Sequence, residues 1–302
     1  DFELIIQDNS DSTRILDYVK KNQDSRLKYH YAPERINSLI NMDYAISLAT
    51  GKYITMIGDD DTVLPTIFDV VKYANKFGYD AISQKNVIPY FWPNSLGAGS
   101  SGKLNLNRFS FEKKRPDINK NLNLFLKNGM IDYLSFDFPK VYHGIVLKSV
   151  LDKVKSKTGH YFGGLSPDIY AAMTLSFFTE RFIVIDYPFS VGGICKSSTT
   201  AQGMTGGHIG ELKTAPHLYK RGNYIWDKRI PQYYSVESIW AESAIKGFIE
   251  LDNESLLKNF RFPYFVLFAI WRGKGIRKLI IKKALNSQEG LFLKIILFLK
   301  TM

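Results

Sequence analysis

The sequence contains one cysteine, Cys195, in 302 residues. One thiol excludes an intramolecular disulfide and a cysteine-based zinc cluster, and it is compatible with a reducing compartment. No hydrophobic run reaches the roughly 20 residues that span a bilayer. We therefore expect a cytoplasmic protein, with any membrane contact peripheral and on the cytoplasmic face.

Acidic residues are scarce relative to basic ones, which gives a formal net charge of +11. A basic protein is attracted to nucleic acid, anionic lipid or phosphorylated substrates. The excess is concentrated near the C-terminus, where residues 272–300 carry one acid, Glu289, and eight bases. The bases are Arg272, Lys274, Arg277, Lys278, Lys282, Lys283, Lys294 and Lys300.

This basic segment alternates cations with apolar clusters such as "FPYFVLFAIW". That pattern favours attachment to an anionic membrane surface. Because Lys283 falls on the same side as Ile276 and Ile280, packing onto the rest of the chain or onto a second copy stays an alternative. Nucleic acid is the weaker alternative, since no recognised binding motif accompanies the charge.

The rest of the chain alternates apolar strands with helical patterns. "FELIIQ", "RLKYHYA", "KYITMIG", "YDAISQ" and "RFIVID" indicate strands, and helical periodicity lies between them. This order predicts a doubly wound, mostly parallel α/β sheet over residues 1–218 and a helical, basic extension over 219–302. Residues 85–140, which are rich in Asn, Gly and Ser, are expected to form loops and irregular strands, and the glycine-rich residues 191–208 a long flexible loop.

Two of these strands end in carboxylates. Asp8 follows the first strand, and Asp59, Asp60 and Asp61 follow "YITMIG". The carboxyl ends of parallel strands are where ligands bind in such sheets. Consecutive acids there indicate either a surface turn or a site for a hard cation, which magnesium commonly shares with substrate phosphates.

At these residues the sequence resembles family 2 glycosyltransferases of the GT-A fold. The resemblance runs through "LIIQDNSD", "INMDYAISLATGKYITMIGDDD" and "SPDIYAAM", within Asp1 to about Phe189. Family members begin with a further strand and helix, and this sequence starts after that point. Either that segment has been lost or left out of this sequence, or the nucleotide pocket is incomplete. We favour the first alternative, because an exposed "FELIIQ" edge would promote aggregation.

The resemblance implies a metal-dependent inverting transfer of a sugar from a nucleotide-diphosphate sugar to a glycan or lipid-linked acceptor, in surface polysaccharide assembly. It makes Asp8 a contact to the nucleotide base, and Asp59 and Asp60 contacts to the ribose and diphosphate. Asp61, with Asp59, becomes a ligand of Mn²⁺ or Mg²⁺.

Inverting transfer needs a base for the acceptor hydroxyl, and the family pattern places it at Asp168 in "LSPDIYAA". The structural alternative is an acid that only complements the helix dipole, and a helix N-terminus lowers the basicity of such an acid. His143 is a candidate for acceptor binding, and Lys196 for contact with the diphosphate. Competing functions are a sugar nucleotidyltransferase and a catalytically silent binding module.

Overall fold

The computed structural model describes residues 1–34, 36–218 and 220–290. The N-terminal part follows the predicted alternation of strands and helices. Its elements are β1 (Leu4–Asp8), α1 (Arg14–Lys21), β2 (Leu27–Tyr31) and α2 (Ser38–Leu48). Strands β1 and β2 pair in parallel and form a two-stranded sheet.

The next part departs from prediction in two places. The apolar strand before the aspartates is short, and residues 85–140 contain a helix as well as loops. The elements are β3 (Tyr53–Ile54), β4 (Thr62–Val63), α3 (Ile67–Phe77), β5 (Ala81–Gln84), β6 (Ile88–Phe91), β7 (Lys103–Leu104), β8 (Lys113–Lys114) and α4 (Ile118–Lys127).

The remaining elements begin with a strand and a helix after residue 140. The glycine-rich stretch predicted as a loop contains a strand and a short helix. In order they are β9 (Gly144–Leu147), α5 (Lys148–Thr158), α6 (Pro167–Leu175), β10 (Phe182–Ile185), β11 (Ser190–Ile194), α7 (Thr199–Met204), β12 (Ile209–Gly210), β13 (Tyr234–Ser235), α8 (Val236–Glu250), α9 (Phe262–Arg272) and α10 (Arg277–Leu285).

The central sheet has five strands in the order β3-β9-β5-β10-β8, and a second sheet has the order β4-β11-β6-β7. The α/β class is confirmed. The pairings are mixed, because β5 and β10 are parallel whereas β9 lies antiparallel to both β3 and β5. In the second sheet β11 pairs in parallel with β6 and antiparallel with β4.

The predicted helical C-terminal extension is confirmed over the described residues. Its helices share one hydrophobic core with α4 and α6, which includes Phe125, Met173, Phe248, Phe265 and Ile280. The predicted domain boundary after residue 218 stays a prediction. Lys294 and Lys300 lie outside the described residues.

None of the helices in the described part of the chain is both long and apolar enough to cross a membrane.

Candidate active site

The aspartate cluster lies in a turn, Gly58–Asp61, that we call the acid turn. A bridge between Met56 and Tyr142 leads the chain into it from the central sheet. Strand β4 follows at once and pairs with β11 of the second sheet. The acid turn is therefore fixed between two sheets.

Asp61 is the most enclosed carboxylate of this turn, with its side chain 2% exposed. Oδ2 accepts hydrogen bonds from Gly58 N at 2.7 Å and Tyr142 Oη at 2.5 Å, and it lies 3.3 Å from His143 Nε2. Oδ1 accepts from Gly193 N at 2.7 Å. Burial raises the pKa of Asp61, but these partners outweigh it and bring the pKa to about 2. The ionised carboxylate is thus satisfied by protein donors alone.

Asp59 and Asp60 are more accessible. Asp59 is exposed, and its carboxylate accepts no hydrogen bond from the described residues. Asp60 Oδ2 accepts from Cys195 N at 3.1 Å, and the Asp60 carbonyl accepts from Trp92 Nε1 at 3.0 Å. Lys196 follows Cys195 directly and is exposed. These carboxylates keep oxygens that a ligand could use, and Lys196 directly follows the residue whose backbone N–H binds Asp60.

Asp8 ends β1 and is buried. Its carboxylate accepts hydrogen bonds from Ser10 N and Tyr29 Oη, both at 2.8 Å. Burial raises its pKa, but these donors hold the pKa below the ordinary value. No hydrogen bond or ion pair joins Asp8 to the acid turn within the described residues. Contact with a nucleotide base stays a prediction.

Asp168 lies in the first turn of α6, as the "SPD" motif predicts. No side chain or backbone group of the described residues donates a hydrogen bond to its carboxylate. Burial raises the pKa of Asp168 to about 6; His143 and Lys140 oppose that rise, and Asp61 adds to it. The expectation that the helix N-terminus lowers its basicity is wrong, because desolvation is the larger effect.

The segment that presents Asp168 is held by the C-terminal region. Ser243 Oγ, in the middle of α8, accepts hydrogen bonds from Leu165 N at 3.0 Å and Ser166 N at 2.9 Å. Next to them, a Cβ on Gly164 would lie 2.8 Å from Ser243 Cα. The C-terminal helices therefore position the predicted catalytic segment.

His143 is within the site but enclosed. Its Nδ1 lies 3.0 Å from Ser190 Oγ, and its Nε2 faces Asp61. Its backbone φ of 55° is in the left-handed region, which non-glycine residues rarely adopt and which is common near functional sites. Acceptor binding by His143 stays a prediction, since both nitrogens already have protein partners.

Sequence reasoning missed Lys140 and Tyr142, which lie beside His143 in "KVYHG". Burial lowers the pKa of Lys140, against the opposing charges of Asp137 and Asp168. Its Nζ lies 5.5 Å from the centre of the Tyr133 ring. In the sequence, the only sign of these two residues is that a cation and an aromatic side chain stand close to the candidate His143. Gly193 was also missed, because a backbone donor leaves no mark in composition.

A cation held by carboxylates and phosphates is compatible with Asp59 and Asp60, whose oxygens are accessible. It is less compatible with Asp61, whose oxygens are occupied by four donors. Among the described residues, no group of three or more His, Cys, Asp or Glu side chains is arranged to hold a metal ion.

Comparisons with known proteins point to one family. Residues 1–129 match the model of glycosyl transferase family 2. The crystal structure of S. aureus TarS 1-349 in complex with UDP-GlcNAc is similar at 12% identity and a TM-score of 0.55, covering 93% of this chain and 70% of that one. This likeness confirms the fold type that the resemblance implies.

Two other S. aureus TarS structures are less similar overall. TarS 1-349 in complex with UDP has 14% identity and a TM-score of 0.45, over 64% of this chain. Full TarS has 12% identity and a TM-score of 0.48, over 94% of this chain. The chain spans only 51% and 49% of the lengths of these two. No curated protein is similar enough in sequence to match.

Proposed function

We propose, for a chain whose residues 1–129 match the model of glycosyl transferase family 2, that it transfers a sugar from a nucleotide-diphosphate sugar to a hydroxyl of a glycan or glycolipid, with inversion. The observation that carries this proposal is the carboxylate of Asp168. It is desolvated, has no hydrogen-bond donor among the described residues, and is coupled to the acid turn through the charge of Asp61.

Asp168 has the properties of a general base. With a pKa of about 6, it is mostly ionised at neutral pH and still basic enough to accept a proton. Its oxygens are free to face an acceptor hydroxyl. Asp168 takes the proton as the hydroxyl attacks the sugar. Because the attack comes from the face opposite the departing nucleotide diphosphate, the configuration of the sugar is inverted.

The acid turn supplies the donor side of the site. We assign a divalent cation, Mn²⁺ or Mg²⁺, to Asp59 and Asp60, because their oxygens are accessible. Such an ion stabilises the negative charge of the departing diphosphate. Asp61 then supports the turn by binding Gly58, Tyr142 and Gly193, and direct ligation by Asp61 would require one of these contacts to break.

Other residues complete the donor site. We assign contact with a nucleotide base to Asp8, whose carboxylate lies at the end of β1. Lys196 follows the backbone group that binds Asp60 and is exposed, so its side chain is free to meet a diphosphate. The likeness to a UDP-GlcNAc complex makes UDP-GlcNAc the first donor to test.

The described C-terminal helices support a membrane setting. On α9, Tyr264, Leu267 and Trp271 are 51%, 67% and 63% exposed. We call them, together with the exposed cations that follow, the α9–α10 surface. Those cations are Arg272, Lys274, Arg277, Lys278 and Lys282. Apolar side chains beside cations fit an anionic bilayer, so we propose attachment to the cytoplasmic face during polysaccharide assembly.

The opposite faces of the same helices pack into the core. Phe262, Phe265 and Ile280 are buried there. Arg272 lies at the boundary of the two faces, because its side chain is 58% exposed yet lies 3.3 Å from Glu237 of α8. The alternative of packing onto the rest of the chain therefore describes one face of these helices, and a membrane contact concerns the other.

A thermal-shift screen of nucleotide diphosphates with and without Mn²⁺ tests the proposed function. Binding to the folded state must raise Tm in a concentration-dependent way. We expect UDP or UDP-GlcNAc with Mn²⁺ to do so. If no nucleotide diphosphate shifts Tm, the chain is a silent binding or scaffold module; nucleoside triphosphate binding with sugar phosphates would instead favour a nucleotidyltransferase.

A further inference from the structure

A cavity lies beside the segment that presents Asp168. It occupies about 630 Å³ between α2, the residues just before α6, and the C-terminal half of α8. We call it the side cavity. Its lining includes Gly164, four residues before Asp168, so it opens next to the proposed catalytic segment.

Three cations of the side cavity form no direct ion pair, although the charge of Glu250 acts on Lys246 and Arg221 from a longer distance. Lys155, Lys246 and Arg221 all line it, and none forms an ion pair with any carboxylate of the described chain. Arg221 Nη2 donates to the Gly164 carbonyl at 2.6 Å, but its Nε is buried without a partner. A buried donor without an acceptor is costly, and an oxygen-rich ligand would relieve that cost.

The two acids of the cavity are already engaged. Asp43 accepts from Phe162 N at 3.1 Å and also from Tyr161 N. Glu250 accepts from Tyr170 Oη and lies 3.0 Å from Nε2 of His160. The contact with Glu250 raises the pKa of His160.

The rim of the cavity offers apolar surface. Tyr44 is 48% exposed and Ile225 is 77% exposed. Such surfaces suit the C–H faces of a sugar ring, whereas a bare inorganic ion needs only the cations. Cationic interior and apolar rim together fit a sugar that carries an anionic group.

We propose that the side cavity binds an anionic group, phosphate or carboxylate, carried by the glycan acceptor, with a sugar ring against Tyr44 and Ile225. The acceptor role rests on the proposed function. The anion site itself rests on the three cations that line the cavity without a direct ion pair and on the buried Nε of Arg221 that has no partner. Arg221 links the two, because it holds the carbonyl of Gly164 just before the segment that presents Asp168.

Ligand-observed NMR on the full chain tests the site with four probes: inorganic phosphate, glucose 6-phosphate, glucuronate and glucose. We expect one of the charged sugars to bind at least tenfold more tightly than glucose, and more tightly than inorganic phosphate. Preference for glucose 6-phosphate identifies a phosphate on the acceptor, and preference for glucuronate identifies a carboxylate.

The double variant Lys155→Gln/Lys246→Gln should weaken binding of the preferred sugar at least tenfold. Lys153→Gln is the matched control, because Lys153 is an exposed lysine on the same helix as Lys155. Equal binding by the double variant and the wild-type protein would overturn the inference.

Calorimetry of the wild-type protein with UDP and Mn²⁺ separates the two proposals. If the protein binds a charged sugar but no nucleotide, the proposed function is refuted and the anion site is retained. Nucleotide binding without any charged-sugar preference would remove the side-cavity inference alone.

Discussion

Nε2 of His143 lies 3.3 Å from Oδ2 of Asp61, and the two side chains are 10% and 2% exposed. Because an ionised carboxylate only accepts, Nε2 must carry the proton. Nδ1, 3.0 Å from Ser190 Oγ, then either accepts from that hydroxyl or, in the imidazolium, donates to it. The pair ties the acid turn to the strand that carries Ser190.

Replacing Asp61 should therefore destabilise the fold. Asp61→Ala leaves the donors of Gly58, Tyr142 and Gly193 without an acceptor, and we expect a loss of about 2–4 kcal/mol in the free energy of unfolding at pH 7. Asp59→Ala is the control, because Asp59 is exposed and should change stability by less than about 0.5 kcal/mol. Urea unfolding measures both.

The effect of Asp61→Ala should also depend on pH. The pKa of Asp61 is lowered to about 2 in the folded chain, so its stabilisation is present above pH 4 and is lost as the pH falls towards 2. The difference in the free energy of unfolding between the wild-type protein and Asp61→Ala should become smaller as the pH falls from 4 towards 2. A constant difference from pH 7 to pH 3 would show that the charge of Asp61 does not matter.

Gly193 should not tolerate a side chain. A Cβ there would lie 1.7 Å from the carbonyl oxygen of Asp60, a backbone atom that cannot move aside without moving the acid turn. We expect Gly193→Ala to lower the free energy of unfolding by more than about 2 kcal/mol and to weaken nucleotide binding. Gly203→Ala, whose nearest neighbouring atom would be 3.9 Å away, should be close to neutral. Equal stability of the two variants would contradict the close approach.

Asp168 should reduce stability at neutral pH. Its pKa is raised to about 6, so the folded chain holds this proton more tightly than the unfolded chain. The contribution of protonated Asp168 to the free energy of unfolding is complete below pH 4. As the pH rises to 6 this contribution is lost, and the free energy of unfolding falls by up to about 3 kcal/mol. Asp168→Asn should therefore raise Tm at pH 7.5 and change it little at pH 4. A lower Tm at pH 7.5 would contradict the desolvated carboxylate.

Local patterns predicted much of the fold. Helix α3 ends at Gly78, whose φ of 65° is the left-handed C-cap that glycine favours. Helix α6 starts after Ser166 with Pro167 in its first turn, where proline is favoured. These signals are local, so they can be read from a few neighbouring residues.

Long-range features could not be predicted in this way. Strand β3 has only two residues because the chain leaves the sheet after Ile54 and makes a single bridge at Met56. Antiparallel insertion of β9 depends on pairing with distant strands. The same limit applies to the site: Asp168 was found by motif, but its raised pKa depends on burial by segments remote in sequence.

The α9–α10 surface should bind anionic vesicles. Leu267→Ser/Trp271→Ser and the charge variant Lys274→Gln/Lys278→Gln should each reduce co-sedimentation with phosphatidylserine vesicles, since each cation near the surface contributes about 1 kcal/mol. Binding should also weaken at high salt. Point variants are preferable to truncation before Arg272, which would remove Ile280 and Ala284 from the core.

A matched control for the apolar pair is Leu106→Ser/Leu134→Ser, at residues that are 69% and 58% exposed elsewhere. It should leave vesicle binding unchanged. If wild-type protein sediments equally with neutral and anionic vesicles, or not at all, the α9–α10 surface has another occupant, such as a second copy of the chain.

Turnover of UDP-GlcNAc by wild type and Asp168→Asn tests the central claim most directly. The amide keeps the shape of the side chain and cannot accept the proton, so UDP release in the presence of Mn²⁺ should fall on the order of 10²-fold or more while calorimetric UDP binding is retained. The wild-type rate should also fall as the pH drops below about 6, because Asp168 becomes protonated. UDP release by the variant at the wild-type rate would contradict the account.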